Sequence, residues 1–381
     1  MKIVIAMDSF KGCLTSRVAA DAAATGMRRV MPTATFCCVP IADGGEGTVE
    51  ALVCGTHGNM QACAAHDPLM RPHTAQYGIL GDQTTAVIEL AAASGLPLVE
   101  PTLRDPRQTT TYGTGEVIRD ALNRGCTAFI LGLGGSATND GGMGILAALG
   151  VRFYDAKNMD LAPMGANLIH VARMDFSGLD PRAAQAQFTV ACDVTNPLFG
   201  PTGAAQIFAR QKGADDAAIA QLDAGLRHYA TVLERTTGRA VAHQPGAGAA
   251  GGVGAALLAC FHAQLTSGIA CVLERIRFDT VLDGADLVIT GEGRLDGQSL
   301  MGKAPIGIAC AAARKQIPVI ALAGSVAADA AATHMQHIDA FFCIHREPLD
   351  LARAMEPDYA AAAIANTAEE IARLIQRLRP A

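Results

Sequence analysis

Hydrophobic positions in this chain fall into short β-branched runs that alternate with longer stretches of helical spacing. The alternation predicts an α/β protein. Ile3 to Ala6 reads as a first strand, delivering Met7-Asp-Ser-Phe-Lys-Gly12 at its carboxyl end. Thr15 and Ser16 can cap a helix that runs to about Val30. Thr35 to Val39 is a second strand, followed by Ile41-Ala-Asp-Gly-Gly-Glu-Gly-Thr48 and a helix through about Val53. Two successive β-loop-α units put two acid- and glycine-rich loops on the same edge of one sheet.

The pattern then changes. Tyr77 to Leu80 and Thr84 to Leu90, joined at Gly81-Asp82, read as a β-hairpin. An antiparallel hairpin does not continue a doubly wound sheet, so it marks an inserted domain. Within the insertion, a helix opens at Thr109-Thr-Thr-Tyr-Gly-Thr-Gly115 and ends near Asn123. A strand over Thr127 to Leu133 leads into Gly134-Gly-Ser-Ala-Thr-Asn-Asp-Gly-Gly142 and a small-residue helix to Leu149. A strand over Phe188 to Cys192 leads into Asp193-Val-Thr-Asn196. Helices are predicted from Asp216 to about Thr236 and from the glycine run Gly246 to Gly254 through Phe261.

At Asp286 the buried parallel-strand pattern returns. Leu287 to Ile289 is an apolar run, after which Gly291 and Gly293 are expected to turn the backbone and release Glu292, Arg294 and Asp296 at the strand end. Strands over Pro318 to Ala323 and Phe341 to Ile344 and a helix over Ala361 to Leu378 complete the chain. The simplest arrangement is a flavodoxin-like α/β domain with a parallel sheet, built from residues 1–62 and 285–381. Residues 63–284 form a second, inserted α/β domain, and the active site is expected in the cleft between them.

Composition narrows the function. The chain has 381 residues, half of them hydrophobic, with 40 Gly and no Trp, which suits tightly packed α/β layers. A net charge of −6 without a basic block argues against nucleic-acid binding. The apolar start is too short for a signal segment, and Pro245 to Phe261 is too rich in Gly and Ala to span a membrane. The expectation is a soluble cytoplasmic protein, monomer or homodimer, with small-molecule partners. The 11 Cys are scattered with no C-x-x-C, and read as small buried hydrophobes in a reducing compartment. His334 and His337 read as surface helix residues, and no zinc spacing occurs.

Glycine-rich loops running into helix N-termini suit phosphate, because bare N–H groups and the helix dipole face it. Acids among them suit Mg²⁺ bound to phosphate, and Lys11 and Lys303 suit its charge. This inventory argues for a phosphotransferase using Mg-ATP. Gly297 to Lys303 has the G-x-x-x-x-G-K spacing of a P-loop. Ala304 follows where that motif needs a metal-binding hydroxyl, so the stretch does not read as a P-loop; behind the strand-end acids it reads as part of a site rather than as a structural turn before a helix. Glu89 reads as an exposed or capping acid.

Together the loops resemble the two-domain bacterial glycerate kinases. The matching segments are Asp8-Ser-Phe-Lys-Gly12, Ala42 to Thr48, Thr110 to Gly115, Gly132 to Gly142, Cys192 to Leu198, Gly246 to Gly254 and Thr290 to Asp296 with Gly302-Lys303, in order along essentially the whole chain. The resemblance implies phosphorylation of D-glycerate by ATP, usually to 2-phosphoglycerate, in glyoxylate, tartronate or glucarate breakdown. Met7 stands where that family commonly has Pro.

Chemistry then suggests roles. The glycerate carboxylate needs donors: Lys11, Arg294 and the N–H groups of Gly44 and Gly45 are candidates, with Asp8, Ser9 and Glu46 beside them. Asp193 or Asp43 can serve as base for the acceptor hydroxyl, with Lys11 as a catalytic cation. Gly134, Gly135, Ser136, Thr138, Asn139, Asp140, Asn196 and Lys303 are candidates for ATP and its phosphates, and Glu292 and Asp296 for the metal. Which domain holds which ligand stays open. So do a 3-phosphoglycerate product, another small hydroxy acid as substrate, and a non-enzymatic hydroxy-acid sensor. A dinucleotide dehydrogenase is disfavoured, because the loop after the first strand lacks G-x-G-x-x-G.

Overall fold

In the computed structural model of the chain, which describes residues 1–297 and 299–378, the apolar runs become strands numbered here in chain order. They are β1 (Lys2–Met7), β2 (Thr35–Pro40), β3 (Asn59–His66), β4 (Pro72–Ile79), β5 (Thr85–Glu89), β6 (Ala128–Gly132) and β7 (Arg152–Tyr154). After them come β8 (Arg173–Asp175), β9 (Gln187–Ala191), β10 (Gln264–Thr266), β11 (Leu287–Leu295), β12 (Val319–Val326) and β13 (Ala340–Cys343). The chain divides into two units. One comprises Met1–Asp43, Glu50–Thr56 and Ser267–Ala381, the other Gly44–Val49 and His57–Thr266.

The first unit is built on a five-stranded sheet in the order β13-β12-β11-β1-β2, with every pair parallel. Renumbered within the unit this is the 2-1-3-4-5 order of flavodoxin-like sheets. β1 lies between β11 and β2, and Ile3, Val4, Ile5, Ala6 and Met7 are all fully buried, as a central parallel strand requires. Helices Ser16–Arg28 and Pro357–Leu378 pack together on Ala19, Ala20, Ala23, Ile364, Ala368 and their neighbours. They cross at Gly26, where a Cβ would lie 1.8 Å from the Ala365 carbonyl oxygen. Thr15 caps the first of these helices by accepting the Val18 N–H.

Two features differ from the sequence reading. β11 does not end at Ile289. It runs on to Leu295, so Gly291 and Gly293 lie inside the strand. Gly291 serves close strand approach rather than a turn: a Cβ there would sit 2.2 Å from the Leu322 carbonyl oxygen of β12. The inserted unit also ends earlier than expected, at Thr266. Helix Gly268–Arg275 belongs to the first unit because Ile269 packs against Gly307 of helix Ala304–Ala313.

The second unit holds a six-stranded mixed sheet, β10-β9-β6-β5-β4-β3. The hairpin β4–β5 is antiparallel, and β5, β6, β9 and β10 are parallel. β3, unmarked in the sequence because Ala62-Cys-Ala-Ala65 carries little β signal, pairs antiparallel with β4. Phe129, Phe188 and Phe261 stack through the core, with centroids 4.9 and 4.8 Å apart. Helix Asp216–Thr237 is capped by Asp215 and stops at Gly238 in the left-handed conformation. All 11 cysteines are free thiols, but only Cys63, Cys126 and Cys271 are buried, and Cys54 and Cys343 are exposed. No helix among the described residues is long and apolar enough to cross a membrane.

Candidate active site

The carboxyl edge of the first unit's sheet gathers the acids singled out in the sequence. Ser16 fixes this edge: its hydroxyl donates to the Met7 carbonyl (2.7 Å) and accepts the Ile41 N–H (2.8 Å), tying the ends of β1 and β2 together. Asp8 follows β1 directly, its N–H on the Gly291 carbonyl (2.8 Å) and its carboxylate on the Ser9 N–H (2.7 Å). Asp43 follows β2 and pairs with Lys11 at 3.6 Å. Glu292 projects from β11, is buried, and accepts the Ser299 hydroxyl at 2.5 Å. The same hydroxyl accepts the Asp296 N–H (3.1 Å), so Ser299, which the sequence reading passed over, ties the acid on the strand to the turn after it.

Electrostatics mark the cluster as short of positive charge. Burial, then the negative charge of Asp43, pushes the Asp8 pKa up to about 7. Burial also raises Glu292, against the Ser299 hydrogen bond and the Lys303 charge, which lower it. Burial works against the charge of Lys11, but Asp43 and Asp8 outweigh it and its pKa rises above the ordinary lysine value. Ser9 Oγ and Thr290 Oγ1 are buried in the same region with no hydrogen-bond partner among the described residues. Arg294 is exposed and pairs with Asp296 at 3.1 Å. Lys303 stands at the mouth of helix Ala304–Ala313, with Pro305 in its first turn as expected. Gln298, inside the P-loop-like stretch, lies outside the described residues.

The glycine-rich loop of the second unit is arranged differently. Gly134 and Gly135 are exposed, but Ser136, Thr138, Asn139 and Asp140 are buried. Asp140 was expected at phosphate. Instead its carboxylate accepts the N–H and hydroxyl of Thr111 (2.7 and 2.8 Å) and the N–H groups of Gly142 (3.0 Å) and Gly144 (3.1 Å), so it is fully engaged inside the fold. Its pKa is raised, burial outweighing those hydrogen bonds. The glycine run expected to open a helix at Gly246 to Gly254 lies against this loop. Gly251 and Gly252 take left-handed φ, and a Cβ on Gly251 would stand 2.2 Å from the Thr138 carbonyl oxygen.

Gly44 lies in the second unit against Gly132, where a Cβ would stand 2.5 Å from the Gly44 carbonyl oxygen, and Glu46 is exposed. Glu89 acts as the capping reading expects, accepting the Val49 N–H at 3.0 Å, though half-buried rather than exposed. Asp193 follows β9 and is exposed. Asn196 is a loop tie: its amide donates to the Thr202 carbonyl (2.8 Å) and its carbonyl accepts the Gly248 N–H (2.9 Å). Lys212, which no local pattern marked, is buried behind the glycine loop.

Among the described residues, no group of three or more His, Cys, Asp or Glu side chains is arranged to hold a metal. Mg²⁺ on a polyphosphate needs no such cage, only one or two carboxylates, water and phosphate oxygens. Glu292 fits that demand, since it is buried beside Asp8 and Asp43 in a field of excess negative charge.

Comparison with known proteins bears on this arrangement. Residues 3–376 match the family model described as the glycerate kinase family. A Haemophilus influenzae protein named glycerate kinase is 47% identical over 375 residues, covering 98% of this chain and 99% of its own. An Escherichia coli protein named glycerate 2-kinase is 48% identical over 344 residues, 90% of each chain. A crystal structure of a protein described as glycerate kinase 2 from Salmonella typhimurium LT2 superimposes with a TM-score of 0.89 at 45% identity, covering 99% of this chain and 98% of that one.

Proposed function

The chain belongs to the glycerate kinase family, and from that premise we propose that it transfers the terminal phosphoryl group of ATP to the 2-hydroxyl of D-glycerate, giving 2-phosphoglycerate and ADP. The observation that carries the reading is the meeting of Asp8, Lys11, Asp43 and Glu292 at one end of the first unit's sheet. These groups suit a small polar acid and a metal-bound phosphate.

In this reading Lys11 and Arg294 attract the glycerate carboxylate, with Asp8, Ser9, Glu46 and the backbone of Gly44 and Gly45 around it. The exposed Gly134–Gly135 segment receives ATP phosphates on its backbone, with Ser136 holding the turn behind it, and Lys303 adds a cation at a helix mouth. Glu292 and Asp296 would hold Mg²⁺, and the bound ion would neutralise charge on the transferring phosphoryl group. Thr138, Asn139, Asp140 and Asn196 shape the loops and do not touch the ligand. The enzyme is taken as soluble and cytoplasmic, monomer or homodimer, with no nucleic-acid or membrane partner, and its reaction fits glyoxylate metabolism.

Asp193 takes the proton of the attacking hydroxyl, while transfer itself proceeds by positioning and charge stabilisation. Asp193→Asn keeps the shape and removes the base, and turnover should fall by roughly 10²–10⁴-fold with little change in nucleotide affinity. Near wild-type turnover would transfer the role to Asp43. Phosphorus NMR of the product made from D-glycerate and Mg-ATP tests the whole proposal. A 3-phosphoglycerate signal would correct the position of transfer, and no product would remove glycerate as substrate.

A further inference from the structure

Lys212 is the most deeply buried cation among the described residues, 3% exposed, in a short turn, Arg210–Lys212, that Gly213 closes in the left-handed conformation. Its ammonium donates to Ser136 Oγ (2.7 Å) and to the Thr138 carbonyl (2.7 Å), across 76 and 74 residues of sequence. Both acceptors belong to the glycine-rich loop whose exposed part is Gly134–Gly135.

A buried ammonium is expensive, and a neutral side chain could make the same two hydrogen bonds. The loop itself supplies a second observation. Thr138 Oγ1 and both amide atoms of Asn139 are buried with no hydrogen-bond partner among the described residues. A free loop would rotate these groups toward water or a partner. Their isolation means that contacts elsewhere dictate its shape. Those contacts are Lys212 on one side and Asp140, with its four donors, on the other.

We propose that Lys212 is a positioning residue for phosphate binding: it pins the Ser136–Thr138 turn from inside and sets a positive charge behind the Gly134–Gly135 backbone. The ammonium does not touch the ligand. It fixes the loop before the anion arrives, so the anion need not order it, and the nearby charge favours a polyphosphate over a neutral ligand. This rests on the assignment of ATP to this loop. Burial pulls the Lys212 pKa down to about 7 even against the opposing charge of Asp140. Asp140 thus helps keep the ammonium charged as well as holding the loop.

The test is direct titration of Mg-ATP into Lys212→Met, with kcat and both KM values measured alongside. Nucleotide dissociation constant and nucleotide KM should rise at least about tenfold, the equivalent of one charge-assisted hydrogen bond, with kcat nearly unchanged. Ser136→Ala should give a smaller rise, and the double variant should be no worse than Lys212→Met alone, because the two side chains act as one unit. Unchanged nucleotide affinity in folded Lys212→Met overturns the proposal. Should that variant not fold, unchanged affinity in Ser136→Ala does so. A rise in glycerate KM alone would overturn it too, and with it the assignment of nucleotide to the loop. Wild-type protein that binds no Mg-ATP would overturn both, whereas binding without glycerate turnover leaves the clamp standing and removes only the substrate.

Discussion

Asp8 and Asp140 are both buried aspartates beside glycine-rich loops, 2% and 0% exposed, and burial raises the pKa of both. They differ in what surrounds them. Asp140 is met by four donors of its own unit. Asp8 has one N–H, from Ser9, and two neighbouring acids, Asp43 and Glu292. A carboxylate whose lone pairs are filled from within organises the fold. One that is crowded by like charge, near polar groups such as Ser9 Oγ that lack a partner, is kept for something that comes from outside.

The largest effect should come from the satisfied one. Asp140→Ala strips four donors of their acceptor and leaves the Lys212 ammonium without its counter-charge. Stability should fall by about 3–5 kcal/mol, read as a large drop in melting temperature. A loss of activity with an unchanged melting temperature would erase the contrast by making Asp140 a ligand-facing group.

Asp8→Asn should act in the opposite direction. The folded carboxyl, near pKa 7, keeps a proton that the unfolded chain, at its ordinary 3.8, has released. Stability therefore falls as pH rises from about 4 to about 7, and the deficit persists above that window. At ~1.4 kcal/mol per pKa unit the penalty is bounded at about 4 kcal/mol. The variant should match wild type near pH 4 and melt higher at about pH 8, while losing activity through its lost substrate contact. A lower melting temperature at about pH 8 would place Asp8 with Asp140.

The smallest effect sharpens the comparison at its edge. Lys303→Ala removes a cation near Glu292 and should cost about 1.5–3 kcal/mol in kcat/KM for ATP, roughly a 10- to 150-fold loss, with little change in melting temperature. Unchanged kinetics would make Lys303 only the residue that starts its helix.

The first unit was legible because its inner strands, β1 and the first half of β11, are buried on both faces. Ile3 to Ala6 and Leu287 to Ile289 can hardly be anything else, and the acids at their ends follow from sheet topology. Gly291 misled because glycine permits both a turn and a close strand approach, and only the position of Leu322 decides between them. The internal partners of Asp140 were not legible for a related reason. A short acid in a glycine loop looks the same whether its partners are a ligand or Thr111, 29 residues away. Lys212 left no local signal at all, since Lys-Gly at a turn ordinarily faces water and its partners are 76 and 74 residues away.

The long detour between β1 and β11 has a consequence for how the protein is made. Lys2 N–H bonds to Asp286, 284 residues on, at the start of the central pair of the sheet. On the ribosome β1 and β2 emerge first, and the inner edge of β1 must wait, unpaired and apolar, until β11 has been synthesised. Residues 57–266 can meanwhile complete their own sheet from one continuous stretch of nascent chain. The segment made earliest is therefore among the last to find its place, and a chain truncated before residue 287 would leave that edge open to other strands.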